Sequence, residues 1–321
     1  MPPIGLEPIR VAPHDFESCA STIPPRRLAE VRIAYEKSFF NEEATLRKEW
    51  LACMISLSMT RILAVCNQKG GVGKTTTAVN LGAYIAAAGR RTLLVDFDPQ
   101  ANASSAVGHV GDNDKNIYHG ILGYAEPAEI IKISQVPNYS YIPSGPHLSG
   151  ATVELVSVEE REFYLKKFID KIRGLYDYVI IDLPPSLSIL TINGLLASEE
   201  VIIPVQAEYY SLEGLSQLLE TIEMIKANMG HDIKVSGAVI TMFDRWEQLS
   251  QEVAKNLRAN FPYPVFETEV PRSVHLAEAP SFNQPVSLYA PDSAGAGAYR
   301  SLADEILRQE KSFGGEGGFV S

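Results

Sequence analysis

The stretch Cys66-Asn67-Gln68-Lys69-Gly70-Gly71-Val72-Gly73-Lys74-Thr75-Thr76-Thr77 sets three glycines and two lysines between an aliphatic run and an alanine-rich one. Glycines in a strand-to-helix turn let backbone N–H groups converge on anionic oxygens, and the helix that follows adds its positive end. Such a loop, Lys69 to Thr76, binds nucleotide phosphates: Lys74 reaches the β- and γ-phosphates and the Thr75 hydroxyl ligates Mg²⁺. The strict G-x-x-x-x-G-K-[ST] spacing is broken, because Gln68 stands where its first glycine belongs. In its place comes Lys69, followed by Gly70 and Gly71. That second lysine is one more than a phosphate loop requires.

Outward from the loop, short aliphatic runs alternate with helical ones, the pattern of a mostly parallel, twisted sheet with helices on both faces, a three-layer α/β sandwich of the P-loop NTPase kind. The expected strands are Ile62–Cys66, Thr92–Asp96, Tyr139–Ile142, Tyr178–Asp182, Glu200–Pro204, Lys234–Ile240 and Val265–Phe266. Helices are expected near Thr75–Ala88, Val158–Gly174, Leu187–Ala197, Leu212–Met229, Leu249–Asn260 and Ala296–Gln309. Residues 59–311 make up this domain. The glycine-rich 312–321 reads as a flexible tail. Residues 1–58 are Pro-rich at first and helical in pattern from Arg26 to Met59, and carry no recognisable motif. They fit a docking arm, a disordered leader, or an upstream segment absent from a protein whose translation starts at Met59.

The bulk numbers restrict the setting. The 321 residues are 45% hydrophobic and 21% charged, an ordinary globular composition. Three widely spaced cysteines, Cys19, Cys53 and Cys66, form no C-x-x-C pair and suggest a reducing cytoplasm. The apolar run Leu51–Met59 is too short to span a bilayer. A net charge of −11 argues against a surface that coats nucleic acid throughout, but allows a local basic patch.

Two further acidic motifs belong with the loop. In Arg91-Thr92-Leu93-Leu94-Val95-Asp96-Phe97-Asp98-Pro99-Gln100, two aspartates fall at the carboxyl end of an apolar strand, where open α/β sheets bind ligands. Taken alone they also suit capping residues of a turn. Tyr178–Asp182 is an apolar strand ending in one acid. A buried carboxylate needs a partner, and a hydrated Mg²⁺ is the partner this architecture offers, which makes Asp182 the Walker B acid.

The K-G-G-V-G-K-T loop resembles the deviant Walker A box of the ParA/MinD family, and the likeness, from Arg61 to about Lys311, is nearest to Soj-type partition ATPases. That resemblance implies an Mg-dependent ATPase that pairs into a sandwich homodimer on binding ATP. Lys69 would then reach the nucleotide of the other subunit, a cation delivered in trans as an arginine finger is. It also implies that Asp98 orients the attacking water, that Asp96 supports the loop and the metal shell beside Thr75 and Asp182, and that Pro184, Pro185 and Ser186 form the γ-phosphate switch. Val270-Pro271-Arg272-Ser273-Val274-His275-Leu276-Ala277-Glu278-Ala279-Pro280-Ser281 resembles the Soj-type P-R-x-V-R-L-S-E-A-P-S segment, which places Pro271 and Arg272 over the nucleotide. Thr241–Asp244 and Gln284–Tyr289 match further family blocks.

Departures from the family concern DNA. Soj-type proteins hold non-specific DNA through a few surface cations, contacts that weaken with salt. This chain has Trp246 and His275 at two positions where the family pattern carries arginine, and Ala294 replaces a third basic residue. Arg245, Lys255, Arg258 and Arg272 are the remaining candidates, although each also suits an ordinary solvated cation. Trp246 and His275 suit either a protein-recognition surface or plain packing and capping roles.

The expected function is ATP-dependent chromosome or plasmid partition, with hydrolysis stimulated by a ParB-like partner whose basic arm suits an acidic surface. The same switch could instead position a protein cargo such as a chemoreceptor cluster or microcompartment. A MinD-like membrane cycle would need a terminal amphipathic helix, and here Gly-rich residues follow the last helix, so no stable membrane anchoring is expected. A nitrogenase-iron-protein-like ATPase would need paired cysteines to bridge a cluster. The expected location is the cytoplasm, with association to the nucleoid if DNA is the matrix.

Overall fold

In the computed structural model, residues 60–108, 115–208 and 213–313 are described. The helical pattern of Arg26–Met59 lies outside them. Eight strands form one sheet: β1 (Arg61–Val65), β2 (Thr92–Asp96), β3 (Lys132–Ile133), β4 (Tyr139–Ile142), β5 (Tyr178–Asp182), β6 (Glu200–Gln206), β7 (Lys234–Phe243) and β8 (Val265–Pro271). Their spatial order is β3-β4-β2-β5-β1-β6-β7-β8. All neighbours run parallel except β3, which pairs antiparallel with β4 at one edge. The chain moves outward from β1 in one direction to β2 and β4, returns through β5, and then proceeds through β6, β7 and β8 on the other side. The sheet's order therefore turns about β1, and ligands bind at the carboxyl ends of strands at such a point.

Every residue of β2, β5 and β6 is buried. The side-chain alternation of the strands sorts that apolar content into two cores. Ile62, Ala64, Leu93, Val95, Val179, Ile181, Val201 and Ile203 face one layer of helices. Leu63, Val65, Leu94, Ile180, Ile202 and Val239 face the other. The first layer includes α2 (Ile189–Ala197), α3 (Glu213–Met229) and α4 (Gln248–Asn260); the second includes α1 (Lys74–Ala87) and α5 (Ala294–Phe313).

Several boundaries differ from expectation. The region Val158–Gly174 is not one helix: Glu160 takes a left-handed backbone (φ 53°), a 3₁₀ turn follows at Arg161–Phe163, and α-helix exists at Tyr164–Asp170. β8 runs on to Pro271 because it pairs with β7 along the sheet edge, where Glu267 is exposed and Thr268 and Glu269 are half-buried. β3 is two residues long and was not foreseen; pairing with β4, and no apolar run of its own, creates it. α5 extends through Phe313, two residues into the stretch read as tail.

Candidate nucleotide-binding site

The loop after β1 is set by its own backbone. Gly71 (φ 75°) and Gly73 (φ 85°) occupy the left-handed region, which a side chain disfavours. Gly73 caps α1, and its carbonyl accepts the first helical bond, from Thr77 N at 2.8 Å. The first turn of α1 holds no acidic residue, so the helix keeps its positive end for an anion. Neighbouring elements brace the loop. Thr241 Oγ1 on β7 donates to Val72 O (2.8 Å), Asn67 Nδ2 donates to Pro204 O on β6 (2.7 Å), and Lys69 N donates to Asn67 Oδ1 (3.0 Å). Gly70 and Gly71 face solvent, while Val72 is buried.

Lys74 is 7% exposed and donates through Nζ to Lys69 O at 3.0 Å, closing the loop on itself. Burial lowers the Lys74 ammonium from its usual range, and the charges of Asp182 and Asp98 oppose that shift. Thr75 Oγ1 donates to Asp182 Oδ2 at 2.7 Å. Thr76 is half-buried, and its carbonyl accepts from Asn80 Nδ2 at 2.8 Å.

Asp182 ends β5 directly opposite Asp96 at the end of β2. It is fully buried, and among the described residues its Oδ1 has no hydrogen-bond partner. Burial, then the Asp96 charge, drives the Asp182 carboxyl well above the ordinary carboxylate range. An uncompensated oxygen beside a threonine hydroxyl and a phosphate loop suits a hard divalent cation with oxygen ligands. The residues present therefore fit Mg²⁺.

Asp96 is occupied differently. Its Oδ2 accepts from Ser104 N (2.7 Å) and Ser104 Oγ (2.6 Å), and its Oδ1 accepts from Asp98 N (3.2 Å). Burial pushes the carboxyl up to about 6, with those three donors pulling the other way. Ser104 Oγ also accepts from Ser144 N just past β4 (2.9 Å), so a hydrogen-bonded chain runs from β4 through Asp96 to the backbone of Asp98. Asp98 is 8% exposed, and its Oδ1 accepts from Gln100 N at 2.9 Å. After β5, Pro184 is buried, Pro185 and Ser186 are exposed, and Ser186 O accepts from Thr191 Oγ1 on α2.

The structure thus brings Lys69, Lys74, Thr75, Asp96, Asp98 and Asp182 to the carboxyl ends of β1, β2 and β5. Pro271 ends β8, and Arg272 follows it, exposed, with its N–H on Phe243 O. The remaining basic candidates lie apart from the loop in chain and element. Arg245 stacks on Trp246, its guanidinium carbon 4.7 Å from the ring centroid, and Trp246 is 81% exposed. Lys255 and Arg258 on α4 line a groove of about 540 Å³ with Phe243, Gln251 and Glu269, and Arg258 pairs with Glu269 at 2.8 Å. His275 is exposed on a short helix, Val274–Glu278, near the Tyr289 ring. Ser104 and Glu208, the last lying just past β6, were not among the expected site residues, and Thr241 was expected only as part of a family block. A carboxylate at the end of an apolar strand is the signal that singled out Asp182, and Pro204-Val205-Gln206-Ala207-Glu208 carries the same signal.

Known proteins bear on this geometry. A family model described as an AAA domain matches residues 60–235. The chromosome-partitioning ATPase Soj of Treponema pallidum is 46% identical over 252 residues, covering 78% of this chain and 99% of that protein. The sporulation initiation inhibitor protein Soj of Bacillus subtilis is 47% identical over 249 residues, covering 77% of this chain and 98% of its own. Among solved structures, a cobyrinic acid a,c-diamide synthase from Mycobacterium smegmatis with bound ADP and magnesium aligns with a TM-score of 0.71 at 37% identity, covering 79% of this chain and 97% of that one. A phosphate loop before α1, paired acids on β2 and β5, and identity running nearly the full length of the relatives lead to one conclusion: the chain belongs to the Soj/ParA family of chromosome-partitioning ATPases.

Proposed function

We propose that the protein is an ATP-driven dimerisation switch for DNA segregation, hydrolysing ATP to ADP and phosphate under stimulation by a ParB-like partner. The observation that carries the ATPase reading is the convergence of Lys74, Thr75 and the unpartnered Asp182 Oδ1 at the turning point of the sheet. The N–H groups of Gly70 to Thr76 and the Lys74 ammonium hold the β- and γ-phosphates. Thr75 and Asp182 hold Mg²⁺, with Asp96 in the surrounding shell. Bound there, the ion supplies positive charge against the oxygens of the phosphate chain. Asp98, fixed through Asp96 and Ser104, orients the attacking water, and the bond from the γ-phosphorus to ADP breaks as the new P–O bond forms. Lys69, whose side chain is about one-third exposed, is the cation delivered across the two-fold axis to the partner's nucleotide. Pro271 and Arg272 lie over the nucleotide near that seam.

The matrix in this reading is non-specific DNA, held by Arg245, Lys255, Arg258 and Arg272, with the nucleoid as the site of action. Arg258 shares its charge with Glu269 and Arg272 shares its own with Glu208, which reduces what each offers to a phosphate. The test is co-sedimentation of the Asp98→Ala protein with duplex DNA over a salt series. That variant binds ATP and pairs without turning over. Binding that requires ATP and falls steeply with salt is the expected result. A dimer that forms and leaves DNA in the supernatant at low salt would overturn the DNA reading and shift the matrix to a protein surface, for which exposed Trp246 is suited.

A further inference from the structure

Two cations assigned to the nucleotide site, from segments about 200 residues apart in sequence, meet at one carboxylate. Glu208 Oε2 lies 3.4 Å from Lys69 Nζ of the phosphate loop, and Glu208 Oε1 lies 3.7 Å from Arg272 Nη2 beyond β8. Gln206 Nε2 donates to Glu208 Oε1 at 2.6 Å, which orients the carboxylate. The backbone beneath is pinned as well. Ala207 N donates to Thr241 O (3.0 Å), on the same residue whose hydroxyl braces Val72, and Glu208 N donates to Gln206 O (2.7 Å). Among the described residues, the Lys69 carbonyl accepts from Lys74 and its ammonium faces Glu208.

Both ion pairs are partly solvated, with side-chain exposures of 32% for Lys69, 47% for Glu208 and 66% for Arg272. Pairs of this kind orient a side chain weakly, and a more highly charged anion can compete for it. A nucleotide brings several negative charges against the single charge of Glu208. We propose that Glu208 is a positioning residue that gathers Lys69 and Arg272 beside the phosphate loop and yields them when nucleotide phosphates arrive. Its second half, that Lys69 so released serves the other subunit, rests on the reading of Lys69 as a trans-acting cation. The same carboxylate then sets how much nucleotide is needed before the lysine is free to cross.

The test compares the full-length protein with Glu208→Gln, Lys69→Ala and the double variant, reading ADP affinity and the ATP concentration at half-maximal dimerisation. Because Glu208 is half exposed, the Gln variant is expected to fold, and its melting curve verifies this. Removing the charge should tighten ADP binding by about 3- to 10-fold, the equivalent of two partly exposed ion pairs. The Lys69 share of that gain should be lost in the Lys69→Ala background, leaving the smaller share from Arg272, and the ATP midpoint for dimerisation should fall in parallel in the single Glu208→Gln variant. Unchanged or weaker ADP binding would overturn the proposal in favour of a simple brace. An equal gain without Lys69 would also overturn it, showing only a long-range charge effect. If the lysine-dependent gain appears while Lys69→Ala dimerises and turns over as the native protein does, the positioning role stands and the trans reading fails.

Discussion

Lys69 and Lys74 are five residues apart and differ in what holds them. Lys74 is buried and points back to the loop carbonyl of Lys69, so its cation is held within the loop of its own chain. Lys69 is tied through a partly solvated pair. Burial makes the first a fixed part of the binding site, and exposure leaves the second movable. Accordingly, Lys69→Ala should still bind ADP as a single chain but lose about 10³-fold in single-turnover hydrolysis, the lower range for a cation supplied in trans. Rapid-quench measurement at saturating ATP checks this, and hydrolysis at the native rate would remove Lys69 from catalysis. The placement of Lys74 at the start of α1 and of Asp182 at the end of β5 was legible in the sequence because local spacing carries it: glycines before Lys74, an apolar run before Asp182. Ser104 was not, because it acts only through Asp96, which the fold brings near; Glu208 ends an apolar strand as Asp182 does, and its two cationic partners come together only in the fold.

At the scale of the element, α1 presents its positive end to the loop and its length to the sheet. Gly73 lets the chain turn into the helix, and Gly82 lets the helix approach β4. A Cβ at Gly82 would come within 2.4 Å of Tyr139 Oη and 2.8 Å of its ring. Tyr139 is 1% exposed, and its hydroxyl donates to Val79 O at 3.0 Å, so it has little room to yield. Alanine would gain about 1 kcal/mol of helix propensity. The clash should outweigh this, leaving Gly82→Ala about 1–3 kcal/mol less stable by denaturant unfolding. Adding Tyr139→Phe removes the nearest atom and should restore part of the loss. A stabilised Gly82→Ala protein would mean that helix and sheet pack less closely than described. The expected Thr75–Ala88 helix differs from the observed one by a single residue at each end, since Gly73 and Gly89 bracket it. The Val158–Gly174 region broke because a left-handed Glu160 is written in no composition signal.

Across the whole molecule, the sheet separates function from fastening. Its carboxyl edge carries the nucleotide residues; its amino edge carries an ion pair that joins β1 and β6 to α5. Arg61 Nε and Nη2 each donate to the Glu200 carboxylate at 2.7 Å, and Nη1 donates to Ile306 O at 2.8 Å. Ser236 on β7 donates to the same carboxylate. Burial alone would raise the Glu200 carboxyl, but Arg61, with Ser236 and Lys234, holds it below its usual 4.5. A depressed carboxyl contributes stability that is present above the unfolded value and lost as pH falls through the folded one. Glu200→Gln removes the Glu200 charge from beside the nearly buried Arg61 guanidinium and should cost about 3 kcal/mol at pH 7. The gap should narrow as pH drops below 4.5, where native Glu200 itself takes a proton. Unfolding curves at neutral and acidic pH measure both, and a gap indifferent to pH would separate the pair from the acid response. No helix among the described residues is long and apolar enough to cross a membrane.

By itself the sequence determined the three-layer α/β architecture, the phosphate loop and the acids at the strand ends. Apolar runs, glycine turns and strand-terminal carboxylates are local patterns, readable from neighbouring residues. Tertiary structure alone decided that Asp96 is spent on Ser104 and Asp98 while Asp182 Oδ1, among the described residues, has no hydrogen-bond partner. It alone decided that Lys69 and Arg272 share Glu208. Such pairings depend on which strands become neighbours, and burial and electrostatics take their values only once segments far apart in the chain stand within a few ångströms.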